Sequence, residues 1–343
     1  MEQTIQIIQF GGFFASQLTN GLLLYLLCRK TSKQFGRYRV LMISFSLSAM
    51  MYSVLDFLTL PIFVCKERSF CIVSSGMFTH DKYIGFPLIA TTSGCFGLCL
   101  SVLALQFFYR YIAICKPEKL HIFNGKSIFY TSSPCFVLLF LCLIQAWFFM
   151  KPVPETQLHY QKIFRESFDM DSFDVAFVAM KYKSSPTESI PEHWNIQQVF
   201  GFLFCVVIMQ SCVFAILFCG LRTFFYMKKF SFTMSQKTKE LHRQLFFTLT
   251  LQTLLPGITM FIPVGSLIAL PFFGVDLGLE VNKIGAFLGV YPALDPLIAI
   301  FLITDFRNFV LCLEKRTAYK IAAGLTGIES STARRSSSMN QLR

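Results

Sequence analysis

Seven stretches of this chain lack Asp, Glu, Lys, Arg and His, two isolated aspartates apart. They cover 3–28, 40–65, 84–109, 127–150, 194–221, 244–275 and 284–304, and they are dense in Phe, Leu, Ile and Val. None is shorter than 21 residues. A helix rises about 1.5 Å per residue, so about 20 apolar residues cross a hydrocarbon core of about 30 Å. The pattern predicts an all-α membrane protein built as a seven-transmembrane helix bundle. After the seventh stretch, Phe306, Phe309, Val310 and Leu313 recur at helical spacing. That predicts a short amphipathic helix lying on the membrane surface.

The polar segments set the orientation. Segments 29–39, 110–126, 222–243 and 305–343 hold 22 of the 31 Lys and Arg; the opposite set holds 9. Basic loops stay in the cytoplasm, which places the N-terminus outside and the C-terminus inside. The short segment 29–39 alone argues the same way. Residues 1–315 then form the seven-helix domain, and 316–343 a Ser-rich basic cytoplasmic tail with a disorder-prone composition. Within that tail, Arg334-Arg335-Ser336-Ser337-Ser338 has the look of a basic-directed kinase site.

Charge and cysteine content change the picture little. The net charge of +12 sits on the cytoplasmic segments, where anionic lipid and topology account for it without nucleic acid. The first span lacks a basic leader and reads as an uncleaved helix. No Asn-x-Ser/Thr sequon occurs. Most of the 12 cysteines lie inside spans or at cytoplasmic edges; only Cys65 and Cys71 meet the oxidising side, and a bridge between them is an open alternative. The long segment 151–193 fits equally a solvated loop with a short hairpin or a lid over the bundle mouth.

Three ionisable positions carry candidate chemistry. Asp56 and Asp295 lie inside the second and seventh spans. An ionised carboxylate there costs at least about 2.5–3.5 kcal/mol, so each should face the bundle interior, either as a structural polar pair or as a switch sensitive to a cation or a shared proton. Arg110 ends the third apolar stretch, within Tyr109-Arg110-Tyr111-Ile112-Ala113-Ile114-Cys115-Lys116-Pro117. Taken alone it fits a snorkelling arginine at the membrane edge.

Arg110-Tyr111-x-Ala113-Ile114 resembles the arginine-centred motif closing the third helix of rhodopsin-like receptors, with Tyr109 in place of the usual acid. Leu55-Asp56 followed by Pro61, and Tyr291-Pro292-Ala293-Leu294-Asp295-Pro296, resemble their second and seventh helices. More closely, the chain is similar to the nematode seven-transmembrane chemoreceptors of the Str class (serpentine receptor class r). The further matching segments are Arg37-Tyr38-Arg39-x-Leu41-Met42, Tyr52-Ser53-x-x-Asp56, Leu241-x-Arg243-Gln244-Leu245-Phe246, Leu251-Gln252-Thr253 and Pro256.

The resemblance implies a G-protein-coupled chemosensory receptor, with no enzymatic activity, cofactor or metal. Its partners would be a small odorant or soluble cue, a heterotrimeric G protein and membrane lipid. Its place would be the plasma membrane, as a multi-pass protein of a sensory-neuron cilium. Arg110, Tyr111 and Arg243 would face the G protein. Asp56, Asp295, Pro256 and Pro296 would form the activation switch, and Thr92, Phe96 and Phe261 would contact ligand. With no acid beside it, Arg110 would be restrained by Asp305, Glu240 or a tyrosine hydroxyl such as that of Tyr226. Segment 151–193 has no Cys, so a disulfide from it to the third helix is impossible. The rival reading is a ligand-gated cation channel of the insect odorant-receptor type, whose N-terminus would lie inside. A transporter is disfavoured by the lack of repeats.

Overall fold

A computed structural model describes residues 2–29, 36–184, 193–229, 236–278 and 281–311. Helix α1 (Glu2–Arg29) leads into α2 (Tyr38–Thr59), then a hairpin of β1 (Pro61–Lys66) and β2 (Ser69–Ser74), and α3 (Lys82–Cys115). A 3-10 turn (Pro117–Phe123) precedes α4 (Ser127–Phe149), α5 (Pro154–Phe168), β3 (Phe177–Lys181) and α6 (Ile196–Lys229). The sixth span is continuous but changes winding, from α7 (Gln236–Pro256) through a π turn (Gly257–Phe261) into α8 (Ile262–Phe272). Helices α9 (Val281–Leu302) and α10 (Thr304–Val310) complete the described chain. Seven helices among the described residues are long and apolar enough to cross a membrane. Helix α4 leaves Phe129, Phe140 and Phe148 exposed, as a lipid-facing helix should.

The second apolar stretch is not one span. Leu60 adopts a left-handed backbone (φ 40°), its N–H closes on the carbonyl of Asp56 at 2.8 Å, and Pro61 cannot extend the helix. The remaining apolar residues become β1. Glu67 and Arg68, both at positive φ (52° and 54°), make the two-residue turn that matches strand twist. Strand β3 adds antiparallel to β2. Period-two alternation then gives the sheet two apolar faces. Phe63, Cys65, Phe70, Val178 and Met180 pack toward the bundle, while Val64, Cys71, Val73 and Phe177 pack under Tyr160, Ile163 and Phe164 of α5. Residues 151–184 of that segment are thus a helix over a strand, not a solvated loop. The Phe168–Asp174 stretch is the turn between them, held by Arg165 on Asp171 at 2.6 Å. Cys65 and Cys71 fall on opposite faces and are both free, because Cys71 pairs with Val64 and not with Cys65.

Hydrogen bonds pin this cap to the helices. Phe63 donates its N–H to Asn282 Oδ1 at 2.7 Å, Ala179 N–H to the Met150 carbonyl at 2.9 Å, and Tyr182 its hydroxyl to the Ile268 carbonyl at 2.8 Å. Below the cap, α1 and α9 meet through glycines. A Cβ on Gly12 would lie 2.5 Å from the Gly289 carbonyl oxygen. The short amphipathic helix predicted after the seventh span is α10, with Phe306 fully buried. Leu313, the tail 316–343 and its serines lie outside the described residues.

Two expectations follow. Gly12→Ala should destabilise by about 1–3 kcal/mol, since backbone cannot yield to an overpacked methyl without parting the helices. Gly21→Ala, with nothing within 4 Å of its Cβ, should be neutral or stabilising, and thermal unfolding in detergent compares the two. The second concerns His159, whose ring nitrogens approach Ser69 Oγ (3.2 Å) and Glu67 (3.8 Å) beside buried Lys181, which pairs with the exposed Glu155 (3.1 Å). Burial, then the Lys181 charge, hold its pKa below the usual value, against the carboxylates of Glu67 and Glu155. The unfolded chain therefore binds the proton more tightly. The contribution of His159 to the cap is complete above about pH 6.5 and is lost as pH falls below it. Amide protection factors in β2 and β3, which remove the intrinsic pH dependence of exchange, should be lower at pH 5 than at pH 7.5, and His159→Gln should flatten that difference.

Candidate functional site

Under the sheet lies an internal cavity. Phe63, Phe70 and Ile72 roof it, Asp56 and Tyr52 of α2 line one side, and α3 contributes Thr92 and Phe96. Val264 and Ile268 of α8 close the opposite side. The hydroxyls of Thr92 and Thr59 are bonded to their own helices, to Leu88 (2.9 Å) and Leu55 (2.8 Å). Gln145 of α4 has only a long contact from its amide to the Met180 sulfur (3.9 Å), leaving its carbonyl oxygen with no bonded donor among the described residues. Its amide, like the Asp56 carboxyl and the Tyr52 hydroxyl, gives the lining hydrogen-bonding capacity to offer. An apolar chamber with few polar groups suits a small organic ligand.

The sequence-predicted ligand residues fall at this cavity unequally. Thr92 and Phe96 line it. Phe261, the last residue of the π turn, stands behind and meets Phe96 edge-on at 5.7 Å. The widened turn follows Pro256, the end of α7, and precedes Pro263, where the missing N–H interrupts the helical ladder.

The two intramembrane acids have different surroundings. Asp56 presses against Gly289, where a Cβ would sit 3.0 Å from its Oδ2. Asp295, six residues further along α9 and so about 9 Å along the axis, accepts from Gln252 Nε2 of α7 at 3.1 Å. No hydrogen bond joins the two carboxyls among the described residues. One oxygen of Asp295 and the Gln252 carbonyl oxygen are buried without a partner. Pro296 cannot donate to the carbonyl of Pro292, and Asn20 of α1 supplies that bond instead at 2.8 Å. Thr19 bonds the next carbonyl, Ala293, at 3.0 Å.

At the other end of the bundle Arg110 is buried within α3 and does not sit exposed at a helix end. Helix α3 continues to Cys115, and the arginine is only 3% exposed. Its guanidinium lies 3.6 Å over the ring of Tyr38, the first residue of α2. Tyr38 is fixed by its hydroxyl on Gln106 Oε1 (3.2 Å) and by stacking on Tyr109, which meets Phe123 of the 3-10 turn. Nε and Nη2 of Arg110 have no acceptor among the described residues. Where the resemblance to rhodopsin-like receptors would put an acid, this chain has Tyr109 and an aromatic nest. Tyr111 points elsewhere, toward Lys116 and Phe218. Glu240 is engaged by Arg243 (3.9 Å) and Gln244 (3.3 Å), and Asp305 is exposed. Arg243 itself is largely in the open.

Sequence reasoning missed Asn20, Gln145 and Gln252. A signal for them existed, because an amide inside an apolar span needs a partner as surely as an acid does. Tyr38 gave no such signal; only the folded chain brings it beneath Arg110.

Comparison with known proteins agrees with this arrangement. Residues 5–311 match the family described as serpentine type 7TM GPCR chemoreceptor Str. The chain is 29% identical to serpentine receptor class r-10 of Caenorhabditis briggsae over 90% of both proteins. It is 28% identical to serpentine receptor class r-10 of Caenorhabditis elegans, covering 85% of this chain and 86% of that one. It is 25% identical to the G-protein coupled receptor str-33 of Caenorhabditis elegans, covering 86% of both. These relatives are receptors and not enzymes. With seven membrane-crossing helices, a capped internal cavity and a match along nearly its whole described length, the chain belongs to the serpentine Str family of seven-transmembrane chemoreceptors.

Proposed function

We propose that this receptor binds a small organic cue, an odorant or a soluble chemical, in the capped cavity and activates a heterotrimeric G protein at the Arg110 end. The N-terminus and the sheet face the outside, and the C-terminus faces the cytoplasm. Its place is the plasma membrane of a sensory cilium. The observation that carries the reading is the apolar cavity beneath the sheet, separated along the bundle from a buried arginine with unused donors. A ligand shifts the receptor only by preferring one state. The cavity reaches α8 through Val264, and Phe96 reaches the π turn through Phe261. A ligand that moves these side chains rewinds the π turn and swings α7, whose Gln252 holds Asp295. Pro256 and Pro296 mark where the two helices give. Asp56 senses the cavity, as a protonated carboxyl or one facing a cation. Arg110 then leaves Tyr38 and, with Tyr111 and Arg243, meets acceptors on the G protein.

An epitope before Glu2 should be accessible on intact cells and one after Arg343 only on permeabilised cells. The reverse result would sink this orientation and favour the channel. Cells with a G-protein reporter should respond to members of a panel of small organic compounds, and Arg110→Ala at equal surface abundance should be silent. Tyr38→Leu should raise signalling without ligand, whereas Tyr38→Phe, which keeps the ring, should not. A desolvated cation–π contact is worth about 2 kcal/mol, enough to move a two-state equilibrium about thirtyfold. Normal responses from Arg110→Ala would overturn the assignment of this end to the G protein.

A further inference from the structure

A second cleft opens sideways where the bundle meets the sheet. Lys82, Phe86 and Pro87 of α3 form one wall, Trp147 and Lys151 at the end of α4 another, and Gln157 of α5 the ceiling. Just below, Tyr83, Ile84 and Phe148 are exposed on the outer face of spans, where only hydrocarbon or the interface can cover them. The two lysines therefore stand at headgroup level. Lys151 Nζ lies over the rings of Trp147 (5.6 Å) and Phe86 (5.9 Å), against the cleft wall.

The neighbouring acids are engaged elsewhere. Asp81 caps α3, accepting from the N–H groups of Tyr83 (3.0 Å) and Ile84 (3.2 Å). Glu155 pairs with Lys181, Asp171 with Arg165, and Glu166 with Lys162. No salt bridge is formed by Lys82 or Lys151 among the described residues. Two such cations beside an aromatic, bilayer-facing cleft suit an anion joined to hydrocarbon.

We propose that this cleft binds a single glycerophospholipid from the leaflet on the sheet side, its phosphate between Lys82 and Lys151 and an acyl chain along Trp147 and Phe86. Snorkelling lysines alone would leave no built cavity between them. The bound lipid also braces the receptor. Phe86 packs with Ile89 and Met150, which line the ligand cavity, and the cleft is bounded by the lid residues Ala176 and Phe177. The inference rests on the membrane fold and not on the proposed ligand or G protein.

The test uses the full chain, delipidated in detergent, and native mass spectrometry with added dioleoyl phosphatidylcholine, dioleoyl phosphatidylglycerol or dioleoylglycerol. Wild type should retain either phospholipid and not the diacylglycerol, and millimolar inorganic phosphate should not displace it. Lys82→Gln and Lys151→Gln should each weaken retention about fivefold, the contribution of one lysine near a lipid phosphate surface. Equal retention by the double variant, or equal binding of the phosphate-free lipid, would overturn the site. Displacement by inorganic phosphate would make it a free-anion site and overturn the lipid occupant. Amide exchange across Phe177–Lys181 of wild type, which needs no variant, should slow when phospholipid is restored; unchanged exchange would count against the brace.

Discussion

Inside a bilayer a backbone carbonyl that loses its helical donor has no water to turn to. The Pro292 carbonyl of α9 is in that position because Pro296 has no N–H, and the amide of Asn20 answers it. This constraint fixes much else. It holds α1 on α9, where glycines let the backbones touch, and it leaves the middle of α9 hydrogen-bonded to side chains that can exchange partners. Gln252 makes the same kind of bond from α7 to Asp295, reaching both its backbone and its carboxyl. The bundle is thus joined across its helices by amides, one of them at the carbonyl that proline has freed.

The cap and the nest at opposite ends solve two problems by substitution. The cap replaces a covalent tie with a ladder: β3 is held to β2 by backbone bonds and to α4 and α8 by Met150 and Ile268. The nest replaces an acid with a ring. A carboxylate would pair with Arg110 strongly in this dry setting, and withdrawing the arginine would leave it as an uncompensated buried charge. A tyrosine face attracts the guanidinium without carrying a charge of its own, so the arginine leaves behind an ordinary buried ring.

The seven spans were legible because apolar runs longer than a bilayer is thick have few other uses. What was not legible was where such a run changes purpose. Residues 40–65 read as one span, yet the backbone turns left-handed at Leu60 and the same apolar residues serve a sheet buried on both faces. Helix α5 was missed although Tyr160, Ile163 and Phe164 recur at helical spacing, because acids and bases dominate the segment around them. Arg110 was identified by its motif but placed too close to water, since a charge at the end of an apolar run looks like the end of the helix. Tyr38 and Gln145 depend on approaches between distant parts of the chain, which local pattern does not encode.

Cys65 and Cys71 sit back to back through the sheet, one toward the cavity and one toward α5, and both keep their thiols. The closure of the cavity is therefore complete without any oxidative step. A chamber sealed this way can mature in a reducing environment, needs no isomerase to choose among cysteine partners, and keeps its roof when exposed to reductant. Its integrity depends instead on strand register, because a slip of one residue between β1 and β2 would turn Phe63 and Phe70 away from the cavity and expose the opposite face to it.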